Sequence, residues 1–175
     1  THLDGARLFN AAVAGGQPVG DIARHFDSVS VCFSKGLGAP AGSALCGSKE
    51  LVARARRVRK MLGGGMRQVG LLAAAAMHAL DHHVERLAVD HANARRLAQG
   101  LAALSGIKVV EPQTNIVFAT VEGGRNAELL AHRERQGVLA TGLIGLRFVT
   151  HLDVDAAGID RAIAAVRDFA GHATS

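Results

Sequence analysis

Two short segments, each at the end of an apolar stretch, carry residue types that can do chemistry. Residues 2–7 read His-Leu-Asp-Gly-Ala-Arg and offer the carboxylate of Asp4, and residues 34–38 read Ser-Lys-Gly-Leu-Gly and offer the amine of Lys35. A lysine amine can attack a carbonyl carbon, and a carboxylate can hold a proton on a ring nitrogen. Taken singly, the Lys35 segment is typical of a surface lysine, and the Asp4 segment is typical of an Asp-Gly turn. What is specific is that the two segments occur together, 31 positions apart.

The elements that must position these residues are predicted to be strands of an α/β sheet. Residues 28–33 and 43–47 are rich in β-branched or apolar residues and bracket the loop that holds Lys35. Asp4 follows a third apolar segment, and ligands bind beyond the carboxyl ends of strands in open α/β sheets. Ser48 predicts the N-cap of a helix that continues through Val58. Both candidate groups are thus expected at the ligand-binding edge of a sheet.

The rest of the chain predicts a linking helix and a small second domain. Apolar residues at helical spacing run from residue 67 to 104, a length typical of a helix that connects domains. After it come predicted strands at 107–110, 116–121 and 146–149, a helix at 127–136, and a final helix capped by Asp155. We predict three parts: residues 1–66 in a large domain, 67–104 as the linking helix, and 105–175 as a small α+β domain.

The amino-acid composition limits the classes of molecule that the chain is expected to bind. The 175 residues are 49% hydrophobic with a formal charge of +5, which predicts a globular chain with some affinity for phosphate groups. Six Phe with no Tyr or Trp argue against binding of single-stranded nucleic acid. The basic residues within 54–60 fit a phosphate patch, a solvated helix face or a subunit contact. Cys32 and Cys46 are predicted core residues without a disulfide, and no apolar run could span a membrane, so we expect a cytoplasmic protein.

An amine and a carboxylate placed in this way meet the needs of pyridoxal phosphate (PLP), which forms a Schiff base with lysine and relies on a protonated ring nitrogen. Four motifs in order, at residues 2–7, 28–43, 59–68 and 146–153, resemble those of the low-specificity L-threonine aldolases. The resemblance implies an α/β fold, the C-terminal part of a PLP-dependent transferase-like fold of the aspartate aminotransferase type. It covers the later half of the family's length, so we expect a fragment that lacks an N-terminal half.

The resemblance also implies roles for individual residues. Lys35 would form the internal aldimine, Asp4 would pair with the pyridine nitrogen, and Arg7 would lie beside the ring oxygen. Arg147 would bind the substrate α-carboxylate through two parallel hydrogen bonds. Two further cations, Lys60 and Arg67, match positions that reach an active site across a subunit interface, with Arg67 directed toward the cofactor phosphate. Ser34 fits either a phosphate ligand or a turn-capping hydroxyl.

The implied reaction is retro-aldol cleavage of threonine, allo-threonine and related β-hydroxy-α-amino acids to glycine and an aldehyde, by a homotetramer built as a dimer of dimers. The general base and the phosphate loop would belong to the N-terminal half. Alternatives are another fold type I lyase, a hydroxymethyltransferase, or, for the fragment alone, a non-catalytic assembly module. His78 and His82 have the spacing of metal ligands but are interpreted as surface or interface histidines, so no metal is predicted. His151 fits the substrate pocket or a loop-structural role, and His2 is expected to pack near Asp4.

Overall fold

The computed structural model describes residues 1–142 and 145–171. By contacts the chain forms two compact units, Thr1–Leu87 and Ala88–Ser175. The first unit contains strands β1 (His2–Gly5), β2 (Ser28–Cys32) and β3 (Ser43–Gly47) and helices α1 (Leu8–Gly15), α2 (Val19–Ala23), α3 (Lys49–Met61) and α4 (Gly70–His82). The second contains β4 (Ile107–Val110), β5 (Ile116–Val121) and β6 (Leu146–Val149) with α6 (Asn126–Arg135) and α7 (Ala156–Gly171), and α5 (Leu87–Ala102) begins at the division.

The sheet of the first unit has the order β1-β2-β3, with β1 parallel to β2 and β3 antiparallel to β2. This confirms the three strands predicted around Asp4 and Lys35. One face of β2 is apolar because Val29 and Val31 point to the same side, and both pack with Leu8 in a buried cluster. A second buried cluster contains Leu37, Ala39, Ala79 and Leu87. Both clusters draw on the residues that immediately follow the strand ends.

Helix α3 begins where the sequence predicts it. The Ser48 side chain accepts a hydrogen bond from the Leu51 amide at 3.2 Å, which satisfies one of the free amides of the first turn. No residue of α3 is buried, and its residues Arg54, Arg56, Arg57, Arg59 and Lys60 are all exposed. Strand β3 is similarly open, so the prediction of Cys46 as a core residue is wrong: Cys46 is exposed and Cys32 is half-buried, and both are free.

The linking helix predicted over residues 67–104, too long for one domain helix unless it bends, is divided into two helices in the structure. Helix α4 ends at His82 and α5 begins at Leu87, with a turn between them closed by a bond from the Leu87 amide to the Val84 carbonyl. Local spacing favours a continuous helix, but Ala79 and Leu87 pack with the first unit whereas Leu97 belongs to the core of the second. The domain boundaries stay a prediction. Within the described residues, no helix is both long and apolar enough to cross a membrane.

The second unit is a small α+β fold, as predicted. Its antiparallel sheet has the order β4-β5-β6, and α5, α6 and α7 contribute to one buried cluster with it. Helix α7 is capped by Asp155, whose carboxylate accepts from the Gly158 amide at 2.7 Å. Its apolar stripe is buried as expected, at positions Ile159, Ile163, Val166 and Phe169. Residues 143–144 and 172–175 of the predicted domain lie outside the described residues.

Candidate functional site

The parallel pairing of β1 and β2 brings Asp4, near the end of β1, and the segment that leads from β2 to Lys35 to the same edge of the sheet. Asp4 is the register partner of Ser30, and Gly5 is the partner of Val31. Neighbouring strands lie about 4.8 Å apart, so Asp4 lies beside Ser30 on β2, the strand that leads into the Lys35 turn. Both residues are exposed at this edge. The Asp4 Oδ1 also accepts a hydrogen bond from the Ala6 amide at 3.2 Å, which holds the carboxylate in a tight turn.

Gly5 is required for this close approach of the two strands. A Cβ at position 5 would lie 2.6 Å from the Ser30 carbonyl oxygen and 3.1 Å from Val29 Cγ1. The nearest atom is backbone, which cannot rotate away as a flexible side chain can. The absence of a side chain at Gly5 therefore sets how closely Asp4 approaches strand β2.

Lys35 lies in a turn whose backbone is held by local hydrogen bonds. The Gly38 amide donates to the Lys35 carbonyl at 2.8 Å, and the Ala39 amide donates to the Phe33 carbonyl at 2.9 Å. Gly38 has a φ of 72°, in the left-handed region that favours glycine. Leu37 is only 2% exposed and anchors the turn in the cluster with Ala79 and Leu87. The Lys35 side chain is thus exposed to solvent, whereas Leu37 in the same turn is buried.

Two polar residues that the sequence did not single out as part of the site contact this turn. Asn10 is 3% exposed on α1, and its Oδ1 lies 3.1 Å from where a Cβ of Gly36 would stand. His83 follows α4, and its Nδ1 donates to the Leu37 carbonyl at 2.6 Å. A polar Asn10 among the apolar residues of a short helix is a pattern from which its contact with the site could have been predicted. The role of His83 depends on a contact across 46 positions and has no local signature.

Arg7 and Ser34 lie beside Asp4 and Lys35 along the chain and at the same edge. Arg7 is the N-cap residue of α1, directly after β1, and its Nε is buried although the residue as a whole is half-exposed. Ser34 is exposed in the turn after β2. The arrangement leaves both interpretations of Ser34 open, as phosphate ligand and as turn-capping hydroxyl.

Lys60 and Arg67 belong to a different part of the first unit, at and beyond the end of α3. Lys60 is in the last turn of that helix, and Arg67 is in the segment before α4; both are exposed. The Lys60 Nζ lies 3.5 Å from where a Cβ of Gly65 would stand, so the amine lies against the backbone of the segment that follows α3. Gly65 has a φ of 123°, a conformation that other residues rarely adopt.

Arg147 is held by the second unit. It lies on β6 opposite Phe118 of β5, and its backbone also exchanges two hydrogen bonds with Thr141, at 2.9 and 3.1 Å. Three positions later, the Thr150 hydroxyl donates to the Asp90 carbonyl at 2.7 Å within a fully buried network. Pairing on both sides of β6 fixes the backbone from which the guanidinium projects.

Two groups in the second unit have pKa values moved by burial. Desolvation lowers the pKa of His91, which is 3% exposed, against the opposing effect of the neighbouring Asp90 carboxylate. Burial likewise lowers the pKa of Arg133, which stays charged and donates to the Val138 carbonyl at 2.6 Å. Both shifts come from residues that stabilise the fold rather than from the candidate site.

The remaining histidines do not form a metal centre in the part of the chain that is described. The rings of His78 and His82 lie 4.4 Å apart, but no group of three or more His, Cys, Asp or Glu side chains there is arranged to hold a metal ion. His2 Nδ1 is hydrogen-bonded to the Ser28 hydroxyl at 2.8 Å, which ties β1 to β2. His151 contacts Asp153 at 3.2 Å in the loop after β6.

The chain is similar in sequence to curated threonine aldolases. The low-specificity L-threonine aldolase 1 of Arabidopsis thaliana is 46% identical over 148 residues, which cover 83% of this chain and 41% of the relative. The low specificity L-threonine aldolase of Escherichia coli strain K12 is 46% identical over 153 residues, covering 87% and 46%. The chain therefore spans less than half the length of these curated relatives.

A threonine aldolase structure from Leishmania major matches with a TM-score of 0.73 at 24% identity and covers 97% of this chain and 51% of that one. This likeness confirms the predicted fold class, the α/β fold that threonine aldolases share with aminotransferases. The model of the beta-eliminating lyase family matches residues 1–123. Since that match covers more than half of the 175 residues, the chain belongs to the beta-eliminating lyase family.

Proposed function

We propose that this chain is the C-terminal half of a PLP-dependent aldehyde-lyase. The enzyme would cleave threonine, allo-threonine and related β-hydroxy-α-amino acids to glycine and an aldehyde. The observation that carries the proposal is the parallel pairing of β1 and β2, which presents Asp4 and the turn of Lys35 at one edge of the sheet. The 46% identity to two threonine aldolases supports the choice of substrate class.

The side chains at this edge fit the functional groups of PLP. The cofactor has an aldehyde, a ring nitrogen, a ring oxygen and a phosphate; the edge offers an exposed amine, an exposed carboxylate and a guanidinium, in Lys35, Asp4 and Arg7. Glycines at positions 36 and 38 keep the turn free of side chains beside the amine. When bound, PLP supplies an electron sink that stabilises negative charge on the substrate α-carbon.

Each residue has a separate task in this proposal. The Lys35 amine attaches the cofactor, and the Asp4 carboxylate keeps a proton on the ring nitrogen. Arg7 donates toward the ring oxygen, and its position directly before α1 keeps it next to Asp4. Ser34 and Arg67 contact the phosphate, Ser34 from the same turn as Lys35.

Substrate binding is assigned to Arg147 and Lys60. A planar guanidinium grips a carboxylate through two parallel hydrogen bonds, which suits Arg147 to the α-carboxylate of an amino acid. The paired backbone on both sides of β6 supports that assignment because it limits how far the guanidinium base can move. Lys60 adds a second exposed cation from the end of α3.

The proposal requires a further segment of the same protein, which would hold the general base and the phosphate loop. The share of the relatives that the chain covers, 41% and 46%, supports this. Strand β3 is an outermost strand of the described sheet, and four of its five residues are exposed. The backbone groups on the open side of such a strand can pair with a further strand. An N-terminal half that adds strands to this sheet would cover it.

We propose a homo-oligomer, as a tetramer built from two dimers. Exposed large apolar side chains on and between α3 and α4 support this, because such clusters are typical of surfaces that contact another chain. They are Val58, Met61, Leu62, Met66, Val69, Leu71 and Met77. Size-exclusion chromatography with light scattering on the full-length protein would test the tetramer.

A cytoplasmic location is also proposed. Cys32 and Cys46 are both free, and free thiols are typical of a reducing compartment. Fractionation of cells that express the full-length protein tests the location, and recovery outside the cytoplasm would contradict it.

The deciding experiment uses the full-length protein with added PLP. We expect a visible absorbance band from the covalently attached cofactor, and release of acetaldehyde and glycine from threonine without any folate. Lys35→Ala should abolish both the band and turnover, whereas Lys49→Ala, which changes an exposed lysine at the start of α3, should preserve both. Turnover that requires folate would favour a hydroxymethyltransferase, and a band that persists in Lys35→Ala would exclude Lys35 as the attachment point. No band at all would favour an assembly module.

Arg147→Ala tests the substrate assignment separately. Loss of a bidentate charged contact should raise KM for threonine at least about tenfold while the cofactor band stays in place. Arg167→Ala, an exposed arginine on α7, is the matched control and should leave KM unchanged. An Arg147→Ala variant with normal KM would contradict the assignment.

A further inference from the structure

We infer that His83 is a positioning residue for Lys35, acting through the turn that carries the lysine; the inference rests on the proposed function. His83 follows the last residue of α4, and its Nδ1 lies 2.6 Å from the carbonyl oxygen of Leu37. Leu37 is two positions after Lys35, in the same turn. The bond spans 46 positions of sequence, so it connects the turn to a helix that the sequence alone does not place there.

The chemistry of the bond is unambiguous because a carbonyl oxygen only accepts. His83 Nδ1 must therefore carry the proton, both in the neutral ring and in the charged ring. The contact is part-buried, with His83 half-exposed and Leu37 2% exposed, so water competes weakly for the carbonyl. The ring of His78 packs edge-on against His83 at 5.3 Å between centroids and restricts its rotation.

Two backbone hydrogen bonds shape the turn from within. The bonds from Gly38 to Lys35 and from Ala39 to Phe33 stay within residues 33–39, so they shape the turn without fixing its position. Leu37 packing is apolar and non-directional. The His83 bond supplies a directional contact from outside the turn, and it is therefore suited to hold the Lys35 backbone where the amine can reach the cofactor.

The identity of the donor atom predicts which replacement restores the function. The amide nitrogen of Asn stands as many bonds from the backbone as the Nδ1 of His, whereas the amide nitrogen of Gln is one bond further out. His83→Asn should thus keep the bond to Leu37, and His83→Gln should not. His82→Ala is the matched control, since His82 is the adjacent exposed histidine at the same helix end.

The test measures the dissociation constant for PLP in the full-length protein and, without cofactor, the amide hydrogen exchange of residues 37–39. We expect His83→Ala to weaken PLP binding about two- to tenfold, the effect of one hydrogen bond, and to speed exchange at Gly38 and Ala39 by a similar factor. His83→Asn should restore both values, and His82→Ala should change neither.

The outcomes separate this inference from the proposed function. If the unmodified protein shows no Lys35-dependent cofactor band, the proposed function fails, while the exchange rates still decide whether His83 holds the turn. If the band is normal and His83→Ala changes only the thermal midpoint, with affinity and exchange at 37–39 unmoved, His83 is merely structural and the inference is overturned. Equal restoration by Asn and Gln would likewise overturn it.

Discussion

Replacement of Gly5 by alanine tests how the sheet places the candidate site. The added Cβ would lie 2.6 Å from the Ser30 carbonyl oxygen, and such contacts essentially never fall below 3.0 Å. Strands β1 and β2 would therefore have to separate by at least about 0.4 Å at the residue next to Asp4. Because the obstructing atom is backbone, the strain cannot be relieved by rotating a side chain.

The expected cost follows from two opposing effects. Overpacking costs about 1–3 kcal/mol, and contact with backbone places this case in the upper half of that range. Replacing glycine by alanine also lowers the entropy of the unfolded chain, which stabilises the protein by about 0.4–1 kcal/mol. We therefore expect Gly5→Ala to lower the free energy of unfolding by a net amount of about 1–2.5 kcal/mol.

The assay is urea unfolding of the full-length protein, followed by circular dichroism, together with titration of PLP. Gly20→Ala is the matched control: Gly20 lies in α2, and a Cβ there would meet no atom within 4 Å. The control should be neutral or stabilised by up to about 1 kcal/mol, because alanine favours helix over glycine. Gly5→Ala should also bind PLP more weakly, since Asp4 moves with its strand. A Gly5→Ala variant as stable as Gly20→Ala, with equal affinity for PLP, would show that the Ser30 carbonyl does not obstruct a Cβ at position 5.

Three further predictions concern the second unit, each measured by urea unfolding. Gly100→Ala should destabilise by about 1–3 kcal/mol despite its gain in helix propensity, because the Cβ would lie 2.8 Å from Ile163 Cγ1 and closer still to Cδ1; an unchanged midpoint would contradict this packing. Thr150→Val should cost about 1–3 kcal/mol because it removes the hydroxyl that donates to the buried Asp90 carbonyl, and a neutral result would show that the bond contributes nothing. His91 has a pKa below its ordinary 6.5 in the folded state, so the unfolded chain binds the proton first as the pH falls. Stability should therefore decline on acidification below about pH 6.5, and His91→Gln should flatten that decline.

Much of the local structure could be predicted because its signals are local. The β-branched run before Lys35, the cap at Ser48 and the cap at Asp155 each depend on neighbours within four positions, and all three elements begin as predicted. The two predictions that the structure corrects, the linking helix and the burial of Cys46, failed for a non-local reason. Helical spacing extends across His83 to His91 without a break, yet packing against two separate cores ends one helix and begins another. Cys46 looks like a core residue from its apolar neighbours and is nevertheless exposed on β3.

The sequence by itself determined which groups could do the chemistry: an amine at Lys35, in the segment that follows β2, and a carboxylate at Asp4, near the end of β1. Only the tertiary structure decided that those strands are parallel neighbours, because strand pairing depends on contacts between residues far apart in the chain. The same is true of Asn10 and His83, which lie against the Lys35 turn from two different helices. Residue type is a local property, whereas the position of a side chain in a site is set by the packing of the whole unit.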